Sequence, residues 1–469
     1  MNNTQWQIQD TPAIVAGEAG LAGLQWLLHS PAMQAWLHDQ VAALLTQPEQ
    51  CSGCTLQRVK VKPGHKVTAY YDVALRDESG APSHRPIEVT WRAATAAAEE
   101  TLTPAQLQQM AEIEALALAA PFRRLALADG ATAMQIQVAP LDSAFPHLPR
   151  LYSPPHLRVL LAPLLGLPPK TMVQVQPIRY RPRQRHVLRL TLSTDETPPT
   201  DLQHFFAKVY QAGAGAVAAQ MTTIIADRLA MAQEPLTALR PIAHLRNEEL
   251  LLYPAVTGLP LTQALPQGGH SLGDTLQTIG AALHHLHRAP LTPALRLPQT
   301  TFGAEVKAAA RAGEHLAALW PSGHGRLLAL LDRLLAQYDR LPTAEAALLH
   351  RDFKADHLLL TPAGLTLIDC DSCALGDPAL DLGKFLADLQ WWYTLADREG
   401  AAKASGHFLQ GYFRGYTAHE RKLGLARAHL YQVLYLLKNN VRRFNHFNAS
   451  WQSQSEQMIG LAEQVIQCP

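Results

Sequence analysis

The spacing of apolar residues predicts sheet and helix in successive blocks. In the middle of the chain, residues 177–192 alternate around a basic turn, which indicates a β-hairpin, and residues 205–210 form a short apolar run typical of a buried strand. Residues 214–233 have a helical composition, and residues 250–261 begin as an apolar strand and end in a connection rich in Pro and Gly. Together these blocks predict a small sheet with one helix packed against it.

Helices dominate the second half of the chain. Residues 279–286, 408–416 and 430–447 carry apolar side chains at helical spacing. Two short apolar runs, 358–360 and 365–368, interrupt the helices, and the Thr-Pro-Ala-Gly sequence between them is a plausible turn for a hairpin. The chain is therefore predicted to have an α+β fold.

The first half of the chain resembles a duplication with a period of about 120 residues. Similar elements recur in the same order: a Ser-Pro helix start, a basic alternating strand, a buried strand and a final apolar strand. The paired stretches are 27–37 with 151–161, 59–67 with 178–186, 88–93 with 207–212, and 133–140 with 249–254. This alignment sets Lys208 of the second copy opposite Val89 of the first.

Length and charge limit the classes of protein that need to be considered. A chain of 469 residues suggests two or three domains, and the expected borders are 1–147, 148–255 and 256–469. The formal net charge is +1, which gives no reason to expect a nucleic-acid or membrane partner. The first ten residues lack a signal sequence, and no apolar run approaches the roughly 20 residues that span a bilayer. We therefore expect a soluble, cytoplasmic protein.

Two groups of residues suggest a metal site, and each has a simpler interpretation. The pairs Cys51 with Cys54 and Cys370 with Cys373 have CxxC spacing and could supply four zinc ligands, but over 300 residues separate them. The alternative is that these cysteines pack as small apolar side chains, especially Cys370. The histidines of the Leu-His-His-Leu-His run at 283–287 are also typical of a helix core.

The stretch from residue 348 to 392 carries the candidate chemistry. It contains His-Arg-Asp-Phe-Lys-Ala-Asp-His at 350–357, and Asp369 follows Asp352 by 17 positions, after the predicted hairpin. The hairpin would bring the two carboxylates together. Phosphoryl transfer from ATP needs such a pair, because one carboxylate must orient the attacking hydroxyl and another must hold a metal ion against the phosphates.

This stretch resembles the kinase-like small-molecule phosphotransferases, and among them the aminoglycoside phosphotransferase and choline kinase group. The resemblance rests on His350, Asp352, Asp369 and the Gly-Asp-Pro-Ala-Leu-Asp-Leu-Gly-Lys-Phe-Leu segment from Gly376 to Leu386. Neither Asp-Phe-Gly nor Ala-Pro-Glu is present, which disfavours a protein kinase. The resemblance implies a bilobal protein-kinase-like fold. It also implies transfer of the γ-phosphoryl group of ATP, with Mg²⁺ or Mn²⁺, to a hydroxyl of a sugar, amino sugar or amino alcohol.

The resemblance assigns roles to residues of the helical half. Asp352 would orient the acceptor hydroxyl, and Lys354 would neutralise charge on the transferred group, with a surface lysine as the alternative. Asp369 would bind the metal ion, and Asp371 would be a second ligand or face the acceptor. Residues predicted to support the loop structurally are His350, Asp377 and Asp381.

The resemblance also assigns roles in the sheet half. Lys208 would contact ATP, with a lysine that protects an edge strand as the alternative. Arg183 and Arg185 lie on a hairpin turn without glycine. Either they contact phosphate through their side chains, or the turn stands back from the nucleotide. Backbone groups at Tyr253 and Ala255 would bind the adenine edge.

The two copies would then differ in role. Because Val89 offers no charge to a phosphate, residues 1–147 are expected to form a degenerate duplicate of the working lobe, 148–255. The family pattern also places a carboxylate beside the lysine. The helix at 214–233 offers only Asp227, and Glu234 lies at its end.

The clearest departure from the family pattern is His357, which stands where the family has asparagine. An imidazole nitrogen suits Mn²⁺ or Zn²⁺ better than Mg²⁺, which prefers oxygen ligands. The sequence leaves three outcomes open: a kinase with one metal ion, a kinase with altered metal preference, or a pseudokinase that binds a nucleotide or a protein partner without catalysis.

Overall fold

The computed structural model describes residues 6–76, 80–93, 103–194, 202–232, 235–268, 270–291, 297–396 and 399–467. Two five-stranded antiparallel sheets occupy the first half of the chain, and helices dominate the second half. We call these parts the first sheet lobe (residues 51–138), the second sheet lobe (residues 172–254) and the helical lobe (residues 259–467). The predicted α+β, bilobal fold with an additional copy of its sheet lobe is confirmed.

The first sheet lobe follows three helices, α1 (Thr11–Ala16), α2 (Gly20–His29) and α3 (Pro31–Ala42). Its strands are β1 (Cys51–Lys62), β2 (Lys66–Arg76), β3 (Pro82–Arg92), β4 (Ala126–Asp129) and β5 (Met134–Val138), in the sheet order β1-β2-β3-β5-β4. Helix α4 (Pro104–Ala115) connects β3 to β4, and the Thr103 side chain caps its first turn.

The second sheet lobe repeats this arrangement. It follows α5 (Leu148–Leu151) and α6 (Pro154–Leu165) and contains β6 (Met172–Arg181), β7 (Arg185–Ser193), β8 (Gln203–Val209), α7 (Ala214–Ala232), β9 (Leu236–Ala238), β10 (Ala243–Leu245) and β11 (Leu250–Pro254). The sheet order is β6-β7-β8-β11-β10. Strand β9 belongs instead to a small sheet whose other strands come from the helical lobe. The duplication read from the sequence is therefore present in the topology, whereas the domain borders at 147 and 255 stay predictions.

Backbone pairing gives the register between the two copies and corrects one alignment. The N–H of Arg92 donates to the carbonyl of Ala133, and the N–H of Tyr210 donates to the carbonyl of Glu249. Both carbonyl residues adopt a left-handed backbone with φ of 48°. Arg92 therefore corresponds to Tyr210.

Counting back along the strands, the counterpart of Lys208 is Thr90, and the alignment with Val89 was wrong by one residue. Successive side chains of a strand point to opposite faces, so Val89 lies in the core, on the face that packs against the N-terminal helices. The inference that the first copy offers no ammonium at this position still holds, because Thr90 is also uncharged.

The helical lobe contains two small sheets and nine helices among the described residues. The strands are β12 (Leu259–Pro260), β13 (Ala347–Leu349), β14 (Leu358–Thr361), β15 (Gly364–Leu367) and β16 (Ala374–Gly376). The helices are α8 (Leu261–Ala264), α9 (His270–Arg288), α10 (Phe302–Gly313), α11 (Leu316–Leu319), α12 (Pro321–Tyr338), α13 (Ala379–Leu395), α14 (Ala401–Tyr412), α15 (Ala418–Arg443) and α16 (Trp451–Gln467). The predicted hairpin is β14 and β15.

Helix α13 forms the centre of the helical lobe. It packs closely on α15, because Gly383 lets the two backbones approach: a Cβ at this position would lie 2.5 Å from the carbonyl oxygen of Ala428. This packing fixes the side chains that α13 directs at the neighbouring loop of residues 350–357. None of the described helices combines the length and the apolar character needed to cross a bilayer.

Candidate active site

The loop of residues 350–357, between β13 and β14, is held by a carboxylate from α13. The backbone N–H groups of His350 and Arg351 donate to Asp381 at 2.7 and 2.8 Å, and Asp381 is fully buried. The N–H of Asp352 donates to Nδ1 of His350 at 3.2 Å. These contacts are those that the predicted supporting roles of His350 and Asp381 require.

Asp377 supports the start of α13. Its carboxylate accepts from the backbone N–H of Ala379 at 2.9 Å and from the Tyr338 hydroxyl at 2.6 Å. The carboxylate therefore satisfies a free N–H in the first turn of the helix that carries Asp381.

Asp352 lies beside two ammonium groups. Lys384 Nζ, from α13, is 2.5 Å from Asp352 Oδ1, and Lys354 Nζ is 3.7 Å from Oδ2. Burial alone would raise the pKa of Asp352, but Lys384 and the neighbouring positive charges outweigh it and hold the pKa below its usual range. Asp352 is therefore a carboxylate at any physiological pH. Sequence reasoning missed Lys384, although it lies within the Gly-Asp-Pro segment used for the resemblance.

The second sheet lobe contributes the cations that meet the other carboxylates. Lys208 Nζ on β8 is 2.6 Å from Asp369 Oδ1 and 3.7 Å from Asp371 Oδ2. Arg185, at the start of β7, is 2.6 Å from Asp371 Oδ2 and 3.4 Å from Asp369 Oδ1. The Tyr210 hydroxyl also donates to Asp371 at 2.8 Å. Residues nearly 200 positions apart in the sequence thus converge on one site.

Opposite charges balance at this contact between the lobes. Burial raises the pKa of Asp369, but Lys208 and the other positive groups hold it well below its ordinary value. Burial likewise lowers the pKa of Lys208, and the carboxylates of Asp369 and Asp371 more than offset this, so its pKa is raised. Asp369 and Lys208 are therefore both charged at neutral pH, and Lys208 and Arg185 hold positive charge where a phosphate chain would need it.

His357 lies between Asp352 and Asp369. Its Nδ1 is 3.0 Å from the carbonyl oxygen of Asp352, and its Nε2 is 3.4 Å from Oδ2 of Asp369. Burial lowers the pKa of His357 to about 3, so the imidazole is neutral. If Nδ1 donates to the carbonyl, the lone pair of Nε2 faces an anionic oxygen with no proton between them.

This geometry fits a divalent cation. One ligand atom each from Asp352, His357 and Asp369 can be chosen so that all lie within 4.8 Å of one another, and this is the only such group of His, Cys, Asp and Glu in the described part of the chain. A cation between the two carboxylates and the imidazole would remove the repulsion between the lone pair of His357 Nε2 and the facing oxygen of Asp369. Asp371, predicted as a second metal ligand, is outside this group and is bound by Arg185 and Tyr210.

Two residues predicted to bind the nucleotide are engaged elsewhere. The Arg183 side chain pairs with Glu88 of the first sheet lobe, and its backbone N–H donates to Asp142 at 2.8 Å. The N–H of Ala255 donates to the carbonyl of His204 at 2.9 Å, so it is not free for adenine. By contrast, the Tyr253 ring lies 5.3 Å from Lys208 Nζ, within the site.

The carboxylate partner of Lys208 does not come from α7. Asp227 pairs with Arg240 at 2.6 Å on the surface, and Glu234 lies outside the described residues. Asp369 and Asp371 take this role instead. Chain position misled the prediction here, because the partners of Lys208 come from another lobe.

One family model and several solved structures are similar to parts of this chain. The model of the phosphotransferase enzyme family matches residues 194–426. Similar solved structures include choline kinase from Cryptosporidium parvum Iowa II, at 12% identity over 63% of this chain and 89% of that one, with a TM-score of 0.43. Amicoumacin kinase has 14% identity over 67% and 94%, with a TM-score of 0.48. Plasmodium vivax ethanolamine kinase has 10% identity over 62% and 82%, with a TM-score of 0.42.

The search of curated protein sequences finds no match to this chain. The matched stretch contains Lys208, Asp352 and Asp369, the residues that converge in the structure. The resemblance predicted from the sequence is confirmed by the match of residues 194–426 to the model of the phosphotransferase enzyme family.

Proposed function

We propose that this protein transfers the γ-phosphoryl group of ATP to a hydroxyl group of a small molecule. The observation that carries the proposal is the contact between the lobes, where Lys208 from one lobe lies 2.6 Å from Asp369 of the other and His357 lies between Asp369 and Asp352. Such a site supplies both charges that phosphoryl transfer needs. Cations bind the phosphates, and a carboxylate receives the acceptor hydroxyl.

The second sheet lobe holds the phosphates in this proposal. Lys208 and Arg185 exchange their carboxylate partners for phosphate oxygens when ATP enters. Arg185 presents a planar fork of N–H groups suited to phosphate, in place of the backbone N–H groups of a glycine-rich turn. Arg183 keeps its ion pair with Glu88, and its only role is to hold the hairpin in position.

Asp352 orients the acceptor. A carboxylate with so low a pKa is a weak base, so its main contribution is to accept a hydrogen bond from the hydroxyl and align it for attack. Lys384 keeps Asp352 ionised and fixes its position. Lys354, 3.7 Å away, is placed to neutralise charge on the transferred group.

The residues that would hold a divalent cation are Asp369, His357 and Asp352. When bound, a Mg²⁺ or Mn²⁺ ion supplies positive charge that offsets the negative charge of the phosphates. The nitrogen of His357 favours Mn²⁺ more than an asparagine oxygen would.

The first sheet lobe has a supporting role. Asp142, in the segment after β5, accepts from the Arg183 N–H at 2.8 Å and from His186 Nε2 at 2.9 Å, and both partners belong to the β6–β7 hairpin. Together with Glu88, these contacts brace the hairpin above the proposed nucleotide site. We infer a noncatalytic duplicate lobe that holds the phosphate-binding hairpin in place.

A pseudokinase is the second candidate function. Arg185 occupies the carboxylate of Asp371 and approaches that of Asp369, and His357 replaces the asparagine of the family pattern. Both features favour nucleotide binding without phosphoryl transfer.

Transfer of radiolabelled γ-phosphate from ATP separates the two functions. We expect label on a small-molecule acceptor from a panel of sugars, amino sugars and hydroxylated acids, with Mn²⁺ or Mg²⁺, and loss of at least about 100-fold of that rate in Asp352→Asn. ATP binding with equal, background-level transfer by the wild type and Asp352→Asn would support the pseudokinase instead.

A further inference from the structure

A cleft separates the two sheet lobes beside the hairpin just described. Its walls are β1, β2 and the start of β3 on one side and β6 on the other, and it has a volume of about 850 Å³. Asn445 of the helical lobe also lines the cleft, and its carbonyl accepts a hydrogen bond from the N–H of Val59 on β1 at 3.0 Å. All three lobes therefore contribute to the cleft.

The side chains around the cleft are strongly basic. Arg58 lies on β1, Arg179 and Arg181 lie on β6, and all three line the cleft. Lys60 reaches it through Tyr70, whose hydroxyl accepts from Lys60 Nζ at 3.3 Å. Arg442, in the last turn of α15, lies three residues before Asn445. Three arginines thus line the cleft, and two further cations, Lys60 and Arg442, lie near Arg58.

The carboxylates close to these cations already have partners. Glu88 pairs with Arg183, and Asp72 pairs with His84 at 2.7 Å. Within the described ranges, none of the five cations lies within 4.0 Å of a carboxylate. The buried Nε of Arg58 also has no hydrogen-bond acceptor among the residues that the structure describes.

Crowding of like charge makes this arrangement costly without an anion. Burial, together with Arg58 and Arg181, lowers the pKa of Lys60 to about 8. Burial and the neighbouring arginines likewise lower the pKa of Arg181 to about 10. A bound anion would offset the repulsion and give the Arg58 Nε an acceptor.

The cationic surface continues toward the active site along two routes. Arg181 pairs across the hairpin with Arg185, which contacts Asp371 at 2.6 Å. On the other route, Arg442 lies one helical turn beyond Lys438. The ammonium groups of Lys438 and Lys384 both lie over the Tyr435 ring, and Lys384 pairs with Asp352. A ligand in the cleft therefore lies next to the proposed phosphate-binding hairpin.

We propose that the cleft binds the anionic part of the acceptor, a molecule that carries two or more negative charges as phosphate or carboxylate groups. This inference rests on the proposed function and narrows its substrate class. It replaces the expectation of an amino sugar or amino alcohol, because five cations with no carboxylate partner would repel an ammonium group.

Calorimetric titration with two matched probes tests the inference. Inositol hexakisphosphate and benzene hexacarboxylate present similar rings of phosphate or carboxylate groups, and each is titrated at low ionic strength with saturating ADP present. We expect at least one probe to bind the wild type, and binding to weaken by at least about tenfold in Arg58→Gln/Arg181→Gln. The matched control, Arg124→Gln/Lys170→Gln, removes two exposed cations outside the cleft and should bind like the wild type.

The outcomes separate this inference from the proposed function. Binding of the hexakisphosphate alone assigns a phosphate-bearing acceptor, and binding of both probes assigns recognition by charge. Failure of both probes to bind, equal weakening in the control variant, or unchanged binding in Arg58→Gln/Arg181→Gln overturns the inference. A separate ATP titration of the same proteins reports on the proposed nucleotide site. The proposal of that site is contradicted in this experiment if the wild type does not bind ATP.

Discussion

Lys384 Nζ lies 2.5 Å from Oδ1 of Asp352, and the same ammonium donates to the carbonyl of Arg351 at 3.0 Å. Helix α13 thereby fixes both the charge and the position of the carboxylate that would receive the acceptor in the proposed reaction. The contact gives Lys384 a positioning role in the proposed reaction.

Removing this ammonium should change how the rate of phosphoryl transfer depends on pH. In Lys384→Met the pKa of Asp352 rises toward its ordinary value, because burial is no longer offset by the nearest cation. The acidic limb of the pH–rate profile should move to higher pH, and the rate at neutral pH should fall by roughly 10- to 100-fold. Lys354→Met, which removes a cation 3.7 Å away, should move the limb less. A fall in rate with an unmoved limb would argue for a structural role only.

His357→Asn should change the metal preference. A neutral imidazole nitrogen is replaced by an amide oxygen, and Mg²⁺ prefers oxygen. We expect the ratio of metal affinities, Mg²⁺ over Mn²⁺, to rise by about tenfold, as measured by thermal shift at increasing metal concentration with a nonhydrolysable ATP analogue. An unchanged ratio would mean that His357 does not contact the metal ion.

Glu305 should contribute strongly to the stability of the helical lobe. Its buried carboxylate lies 2.5 Å from Lys438 Nζ and 3.1 Å from an Arg351 nitrogen. In Glu305→Gln the two cations lose their charged partner, and we expect the free energy of unfolding to fall by about 3 kcal/mol in urea titrations. Glu314→Gln, at an exposed position beyond the end of the same helix, should change it little.

The same group predicts an acid dependence. Burial opposes ionisation of Glu305, but Lys438 and Arg351 lower its pKa to about 2 from the ordinary 4.5. Because the folded-state pKa is the lower one, the stabilisation is complete above pH 4.5 and is lost as the pH falls toward 2. The difference in unfolding free energy between the wild type and Glu305→Gln should therefore shrink over this window. A difference that stays constant from pH 6 to pH 3 would contradict the assignment.

Asp142 should control the position of the hairpin. Asp142→Ala leaves the fully buried His186 and the Arg183 N–H without their acceptor, which should cost about 2–4 kcal/mol of stability. Amide hydrogen exchange at residues 181–185 should accelerate, and ATP should bind more weakly. Glu112→Ala, which breaks an ion pair between α4 and α5, is the matched control and should leave the hairpin unchanged. Equal exchange in both variants would mean that the first sheet lobe does not brace the hairpin.

The sequence predicted the architecture because the signals of a duplicated sheet are local. Alternation in the strands and Ser-Pro helix starts indicate the order of elements without any knowledge of their packing. The register between the two copies is harder to predict from the sequence, and this explains the mistaken alignment of Lys208 with Val89. A shift of one residue reverses the face of a strand, and only the backbone pairing of Arg92 with Ala133 fixes the alignment.

The candidate site was predictable where motif spacing determines geometry. Asp352 and Asp369 flank a short hairpin, so their approach follows from the chain itself. Lys384 and Tyr210 were missed because a lysine in a helix and a tyrosine after a strand carry no signal of their own. Arg183 and Arg185 look equivalent in sequence, but only Arg185 faces Asp371, and the contact of Arg183 with the first sheet lobe depends on how separate lobes assemble.

The most direct test of the central claim is calorimetric titration of ATP into the wild type and Lys208→Met/Asp369→Asn, with Mn²⁺ present. The double variant removes a cation and an anion together, so no charge is left without a partner. If these residues meet at one nucleotide, the wild type should bind ATP and the variant should bind it at least about 30-fold more weakly, while both unfold at similar urea concentrations. Equal affinity in the two proteins, or no binding by the wild type, would contradict the account.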